Sequence, residues 1–365
     1  MKITPQQGLS KITPYVAGKP IRELKQEFGF EHVIKLASNE NPIGVSSKVI
    51  NAIKNTVEQI NVYPDSHSQE LRLALSKHYE LDVEQIALGN GADDLICQIL
   101  MAYTDTDDEV LTSYSSFPVY DIYSHVMRAK LVKTPLTQDY SVNLPALLEH
   151  ITEKTKIIFI CNPNNPTGTV VNETEVNDFI KRIPPHILVV FDEAYAEMVA
   201  TDAFPNTLNY IKEGWENVMM LRTFSKVYGM AGIRLGYGFG HKNVLEPLLR
   251  VKAPFSVNLL AQAAGIAALE DQAFMHRSVK LNRQGREQLY QGFSNLGLEY
   301  VESHTNFILV GFGTTASSIH QALLSKGIIV RPCAAYGLPE FLRISIGTHE
   351  QNKQLFKLLK SILER

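Results

Sequence analysis

Side chains able to do chemistry fall repeatedly at the ends of short apolar runs in this chain of 365 residues. After Ile157–Cys161 comes NPNNPTG (162–168), which contains Asn165. After Ile187–Phe191 comes DEAY (192–195), with Asp192 and Tyr195. After Val218–Leu221 comes TFSK (223–226), with Ser225 and Lys226, and then GMAGIRLG (229–236), with Arg234. Further upstream, Ile86-Ala87-Leu88 runs into GNGADD (89–94), which includes Gly91, and Leu95, Ile96, Ile99, Leu100 and Tyr103 then recur at helical spacing. In open parallel α/β sheets, ligands sit beyond the carboxyl ends of the strands. An amide, a carboxylate, a phenol, an amine and a guanidinium are therefore expected on one rim.

That set has a coherent chemistry. An amine condenses with an aldehyde. A buried carboxylate beside a pyridine nitrogen raises its pKa and keeps it protonated, so that the ring accepts electrons. An amide and a phenol can donate to an anionic ring oxygen. A helix N-terminus with a hydroxyl and a guanidinium suits a phosphate dianion. Pyridoxal phosphate requires all four, with Lys226 as the Schiff-base lysine, Asp192 beside the pyridine nitrogen, Asn165 and Tyr195 at the 3-oxygen, and GNGADD, Ser225 and Arg234 at the phosphate. Taken singly, each motif has a plainer reading: GNGADD as a tight turn, NPNNPTG as a Pro/Asn loop, Asp192 as a helix cap. Those readings do not account for an ordered series at successive strand ends.

The elements that must position these groups follow from the pattern around them. Residues 1–45 are polar with turn signals at Pro14, Gly18-Lys19-Pro20 and Asn41-Pro42, and read as an arm. From 46 to 261, continuous apolar strands, with Leu235–Phe239 among them, alternate with helical periodicity, which predicts a mainly parallel sheet covered on both faces in a large domain. From 262 to 365, helical stretches give way to Phe307–Val310, Ile328–Val330 and Leu342–Ile346 and a last helix with Thr348 and Gln351 at capping-box spacing, a smaller α+β domain. The acidic run Asp105–Glu109 reads as a solvated loop.

NPNNPTG, DEAY, TFSK and AGIRLG, in this order and spacing, resemble the class I/II aminotransferases of the fold-type I pyridoxal-phosphate enzymes. The resemblance implies a homodimer with active sites at the interface. It also implies that Ala92, Asp93 and Thr223 join the phosphate site, that Phe117 stacks on the pyridine, and that Tyr63, in VYPDS (62–66), reaches the phosphate of the neighbouring subunit. Within that group, PYVAGKP (14–20) and KLASNENPIG (35–44) resemble the opening of histidinol-phosphate aminotransferases. GIIVRP (327–332) ends a strand at Arg331. FLRISIG (341–347) sets Arg343 and Ser345 on one face and Leu342, Ile344 and Ile346 on the other.

The resemblance implies that Tyr15, Arg331 and Arg343, with Asn165 nearby, hold the anion of L-histidinol phosphate or of glutamate and 2-oxoglutarate. It implies ping-pong transfer, with Lys226 moving the proton. An aromatic amino acid aminotransferase and a lyase resembling threonine-phosphate decarboxylases stay open beside it. The balance of 35 basic against 38 acidic side chains gives no general attraction to nucleic acid or anionic membranes. Three scattered cysteines outside any CxxC pair, no signal-like start and no membrane-length apolar run point to the cytoplasm. The histidines show no metal-ligand spacing.

Overall fold

The computed structural model describes residues 3–14 and 21–364. Its strands are β1 (Ile34–Leu36), β2 (Ile86–Gly89), β3 (Glu109–Ser113), β4 (Lys130–Thr134), β5 (Thr155–Cys161), β6 (Leu188–Asp192), β7 (Val218–Thr223), β8 (Gly236–Gly240), β9 (Phe307–Gly311), β10 (Ile328–Pro332) and β11 (Phe341–Ser345). Seven of them form one sheet in the order β2-β8-β7-β6-β5-β3-β4, with β8 antiparallel to both of its neighbours and the pairs from β7 to β4 all parallel.

The unbroken apolar character of β5 and β6 follows from burial on both faces. Ile157, Phe159 and Cys161, with Leu188 and Val190, enter one core cluster. Ile158 and Ile160, with Val189 and Phe191, enter the cluster on the opposite face. Each such aliphatic or aromatic side chain contributes about 1.5–3 kcal/mol on burial. Neither face is left for water, so polar groups are confined to the strand ends.

The second sheet has the order β1-β10-β11-β9. Its strand β1, from the N-terminal segment, runs parallel to β10, and β11 is antiparallel to β10 and β9. Leu342 and Ile344 point into the core with Ile328, Val330, Leu355 and Leu359, which turns Arg343 and Ser345 to the other side as alternation requires. The last helix, His349–Leu363, begins with the expected capping box, in which Thr348 and Gln351 each accept the other's backbone N–H. The change of pattern at 261/262 falls inside the helix Leu259–Leu269, which packs on the helices Ser47–Thr56 and Gln69–Tyr79.

One expectation is corrected. Glu109 is no part of a solvated loop: it opens β3, is buried, and its carboxylate is met by Lys130 at 2.7 Å and by the Thr152 hydroxyl at 2.5 Å. β3 and β4 were not expected from the sequence pattern. No helix among the described residues is long and apolar enough to cross a membrane.

Candidate active site

The carboxyl ends of β5, β6 and β7 face strand β11 of the smaller sheet across a cavity of about 470 Å³. Asn165, Asp192, Tyr195, Thr223, Ser225 and Lys226 line it, as do Ala92, Asp93, Phe117, Arg234 and Arg343. Gly91 stands just behind, as the cap of the helix Ala92–Tyr103, at φ +94°. A Cβ on Gly91 would lie 2.2 Å from Asp93 Oδ1 and 2.3 Å from Arg234 Nη2. Glycine is thus required both by the backbone angle and by the closeness of Arg234. Arg234 donates to Asp93 at 2.6 Å, so a helix N-terminus, a guanidinium and the Ser225 and Thr223 turn converge on one spot.

That turn is tied internally. The Ser225 N–H donates to Thr223 Oγ1 at 3.1 Å, and the Thr223 hydroxyl donates to the Leu235 carbonyl at 3.2 Å. On the far side of the same strand ends, Arg222 donates to Glu193 at 2.8 Å. Strand alternation sends Arg222 and Glu193 away from the cavity and Thr223 and Asp192 towards it.

The Asp192 carboxylate is buried, accepting the Tyr120 hydroxyl at 2.7 Å and the Ala194 N–H at 3.3 Å. Burial pushes its pKa up, while those two donors and the Lys226 amine act to hold it down. Lys226 Nζ stands 5.6 Å from the Tyr195 ring centre. Burial, and then the positive charge of Arg343, push its pKa down to about 8. An amine attacks an aldehyde in its neutral form. Capture of an aldehyde by the coenzyme-free chain is therefore expected to speed up about tenfold per pH unit until about pH 8 and then level off. Stopped-flow absorbance with pyridoxal phosphate across pH measures this; a profile still rising steeply above pH 9 would contradict it.

Tyr195 accepts from Asn39 Nδ2 at 2.9 Å, and burial pushes its phenol up, so it keeps its proton to donate. Arg343 donates to Asn165 Oδ1 and, at 2.8 Å, to the Ala37 carbonyl. Its guanidinium lies 5.0 Å from the Phe307 ring centre. Arg331 is its register partner on β10, and the two arginines are 7% and 4% exposed, which excludes a role as surface ion pairs. The Tyr336 ring lies within 6.0 Å of both guanidinium carbons.

Three expected residues are not placed at the cavity, Arg331 among them, since its register partner Arg343 and not Arg331 is in the lining. Tyr63 is 78% exposed and stacks on Phe255 at 4.6 Å, outside the cavity of its own chain. Tyr15 lies outside the described residues. Conversely, Tyr120, Asn39 and Tyr336 belong to the site or touch it directly and were not foreseen. Their side chains look like ordinary core or turn residues, and their partners lie far away in the chain.

Residues 31–359 match the family described as aminotransferase class I and II. The chain belongs to the class I and II aminotransferases. This aminotransferase is 41% identical over 358 residues to the histidinol-phosphate aminotransferase of Moorella thermoacetica, covering 98% of this chain and 92% of that one. It is also 41% identical to the histidinol-phosphate aminotransferase of Bacillus subtilis (strain 168), covering 98% and 99%. Its fold matches the crystal structure of histidinol-phosphate aminotransferase from Sinorhizobium meliloti in complex with pyridoxal-5'-phosphate, with a TM-score of 0.91 at 27% identity, covering 100% of this chain and 98% of that one. The resemblance read from the motifs therefore holds along the chain. The aminotransferase's cavity also fits pyridoxal phosphate on its own chemistry. A buried amine of lowered pKa, a buried carboxylate, and a helix N-terminus that only glycine keeps open share one enclosure.

Proposed function

We propose that this aminotransferase moves the amino group of L-histidinol phosphate to 2-oxoglutarate, giving imidazole-acetol phosphate and L-glutamate, a step of histidine biosynthesis. The observation that carries the reading is the pair Arg331 and Arg343, in register on adjoining strands and nearly out of solvent, with Arg343 lining the same cavity as Lys226. Two buried guanidiniums suit a phosphate or a carboxylate, each able to accept paired hydrogen bonds. The names of the full-length relatives support the phosphorylated substrate.

Pyridoxal phosphate, when bound, supplies the electron sink that makes the substrate's Cα–H acidic. Lys226 would hold the coenzyme covalently and, once released, would act as the base that takes and returns the proton of the substrate Cα. Asp192 would keep the ring nitrogen protonated, Tyr195 and Asn165 would donate to the 3-oxygen, and Phe117 would pack against the ring. Ala92, Asp93, Thr223, Ser225 and Arg234 would hold the phosphate around the space Gly91 keeps open. Arg331, Arg343 and Tyr15 grip the substrate's anion with Asn165 beside them. The same residues serve the second substrate, so the kinetics are ping-pong. The smaller sheet with its helices closes on the substrate. The active unit is a homodimer in which Tyr63 of one copy reaches the phosphate of the other. The exposed apolar side chains Ile60, Val62, Tyr63 and Phe255 support such an interface.

Steady-state kinetics with histidinol phosphate and with phenylalanine test the substrate. The expected result is a kcat/KM at least about tenfold higher for histidinol phosphate; a tenfold advantage for phenylalanine would overturn the proposal. Arg343→Ala is expected to lower kcat/KM by roughly 10- to 100-fold, chiefly through KM, because the substrate's charge loses its matched donors. Unchanged KM and kcat would mean that another group holds the anion.

A further inference from the structure

We propose that Tyr120 is a positioning residue for the coenzyme ring, its hydroxyl fixing the Asp192 carboxylate and its ring edge fixing Phe117. The inference rests on the reading of this cavity as the pyridoxal-phosphate site.

Tyr120 is fully buried in the helix Val119–Val126. Its ring is stacked on Phe159 of β5, with centres 4.6 Å apart and planes inclined by 6°. That stack fixes the direction of the phenol C–O bond. The hydroxyl meets Asp192 Oδ2 at 2.7 Å. The edge contact with Phe117, at 5.7 Å and 84°, lies one helical turn back along the chain. One side chain therefore contacts both groups expected to bracket the pyridine, the carboxylate at its nitrogen and the aromatic ring on its face. The other end of the geometry is equally fixed, because Cys161, two residues beyond Phe159, is the register partner of Asp192.

The packing alone does not account for the hydroxyl. Phenylalanine would fill the same stack against Phe159, and the oxygen adds the bond to Asp192 and a contact with the Cys161 thiol beside it. Donation to a carboxylate favours its ionised form, the form that holds a proton on a pyridine nitrogen, and burial of the carboxyl acts in the opposite sense. Each carboxylate oxygen has two acceptor positions, so a bond from Tyr120 orients Oδ2 without exhausting it. Burial and the neighbouring Asp192 charge raise the Tyr120 pKa, so the phenol stays a donor.

The test uses the full-length chain and pyridoxine phosphate, which lacks the aldehyde, forms no bond to Lys226, and so reports the non-covalent ring site. Tyr120→Phe is expected to weaken its binding, measured by calorimetry, by about tenfold. In the holoenzyme the same variant is expected to lose about tenfold in kcat with KM for histidinol phosphate within about twofold of wild type. Phe159→Leu loosens the stack but keeps the hydroxyl. It is expected to lower Tm and leave pyridoxine phosphate affinity within about threefold of wild type. Wild-type affinity and kcat in Tyr120→Phe, or an equal loss in Phe159→Leu, would overturn the assignment. A wild-type chain that takes up neither pyridoxal phosphate nor pyridoxine phosphate would overturn the coenzyme reading and this inference with it.

Discussion

Lys226→Ala is expected to lower kcat by at least about 10⁴-fold, because in the proposed mechanism this side chain is both the covalent anchor and the group that carries the proton. Among the described residues no other lysine lines the cavity. Lys35, nearby in the N-terminal segment, is engaged with Glu40 at 2.7 Å. The arginines around the cavity remain, so the variant keeps its affinity for anions and fails in chemistry. Two measurements separate these effects. Turnover with histidinol phosphate should be lost. Borohydride treatment followed by dialysis should leave the coenzyme on the wild-type chain and release it from the variant. Coenzyme still attached to the variant would place the reactive amine elsewhere.

Asp192→Asn preserves shape and removes charge, and is expected to reduce kcat by about 10²- to 10³-fold, the scale of losing one preorganised electrostatic contact. The coenzyme should still bind, since the cradle around Gly91, Ser225 and Arg234 is untouched. Its absorbance should report an unprotonated ring. A second consequence has a definite sign. The Asp192 charge acts to hold the Lys226 pKa up against burial, so without it the pH at which aldehyde capture levels off should move below about 8. Unaltered kcat, or a capture profile displaced to higher pH, would exclude Asp192 from the role.

The site was legible where chemistry sits at the end of a doubly buried strand. The central runs of β5, β6 and β7 are apolar, so the polar segments at their carboxyl ends, which carry Asn165, Asp192 and Lys226, stand out. Alternation alone placed Arg343 opposite Leu342 and Ile344. Strand β3 was hidden because its first residue is a glutamate following three aspartates within Asp105–Asp108. The carboxylate is tolerated inside because Lys130 and Thr152 satisfy it, both more than twenty residues on or at that distance. Strand β4 carries lysines at 130 and 133 along a partly exposed edge, which blurs its periodicity. Tyr120 reads as a core aromatic until Asp192, 72 residues later, is seen to accept its hydrogen bond. Nor does local pattern pair Asn39 with Tyr195, 156 residues away. Pattern reports what a residue's neighbours in the chain demand, and these bonds are demanded by the fold.

The threading of the N-terminal segment through the site bears on biosynthesis. Asn39 is bonded both ways with Ser345, 306 residues later, and the Ala37 carbonyl accepts from Arg343 across the same separation. On the ribosome the first of these partners emerges long before the last, and contacts of such span form late. The seven-stranded sheet is complete by residue 240, so a nascent chain can assemble the floor of the site while its wall is still being made. Coenzyme capture by a finished enclosure is therefore an event of the released polypeptide, and truncation of either terminus opens the same wall.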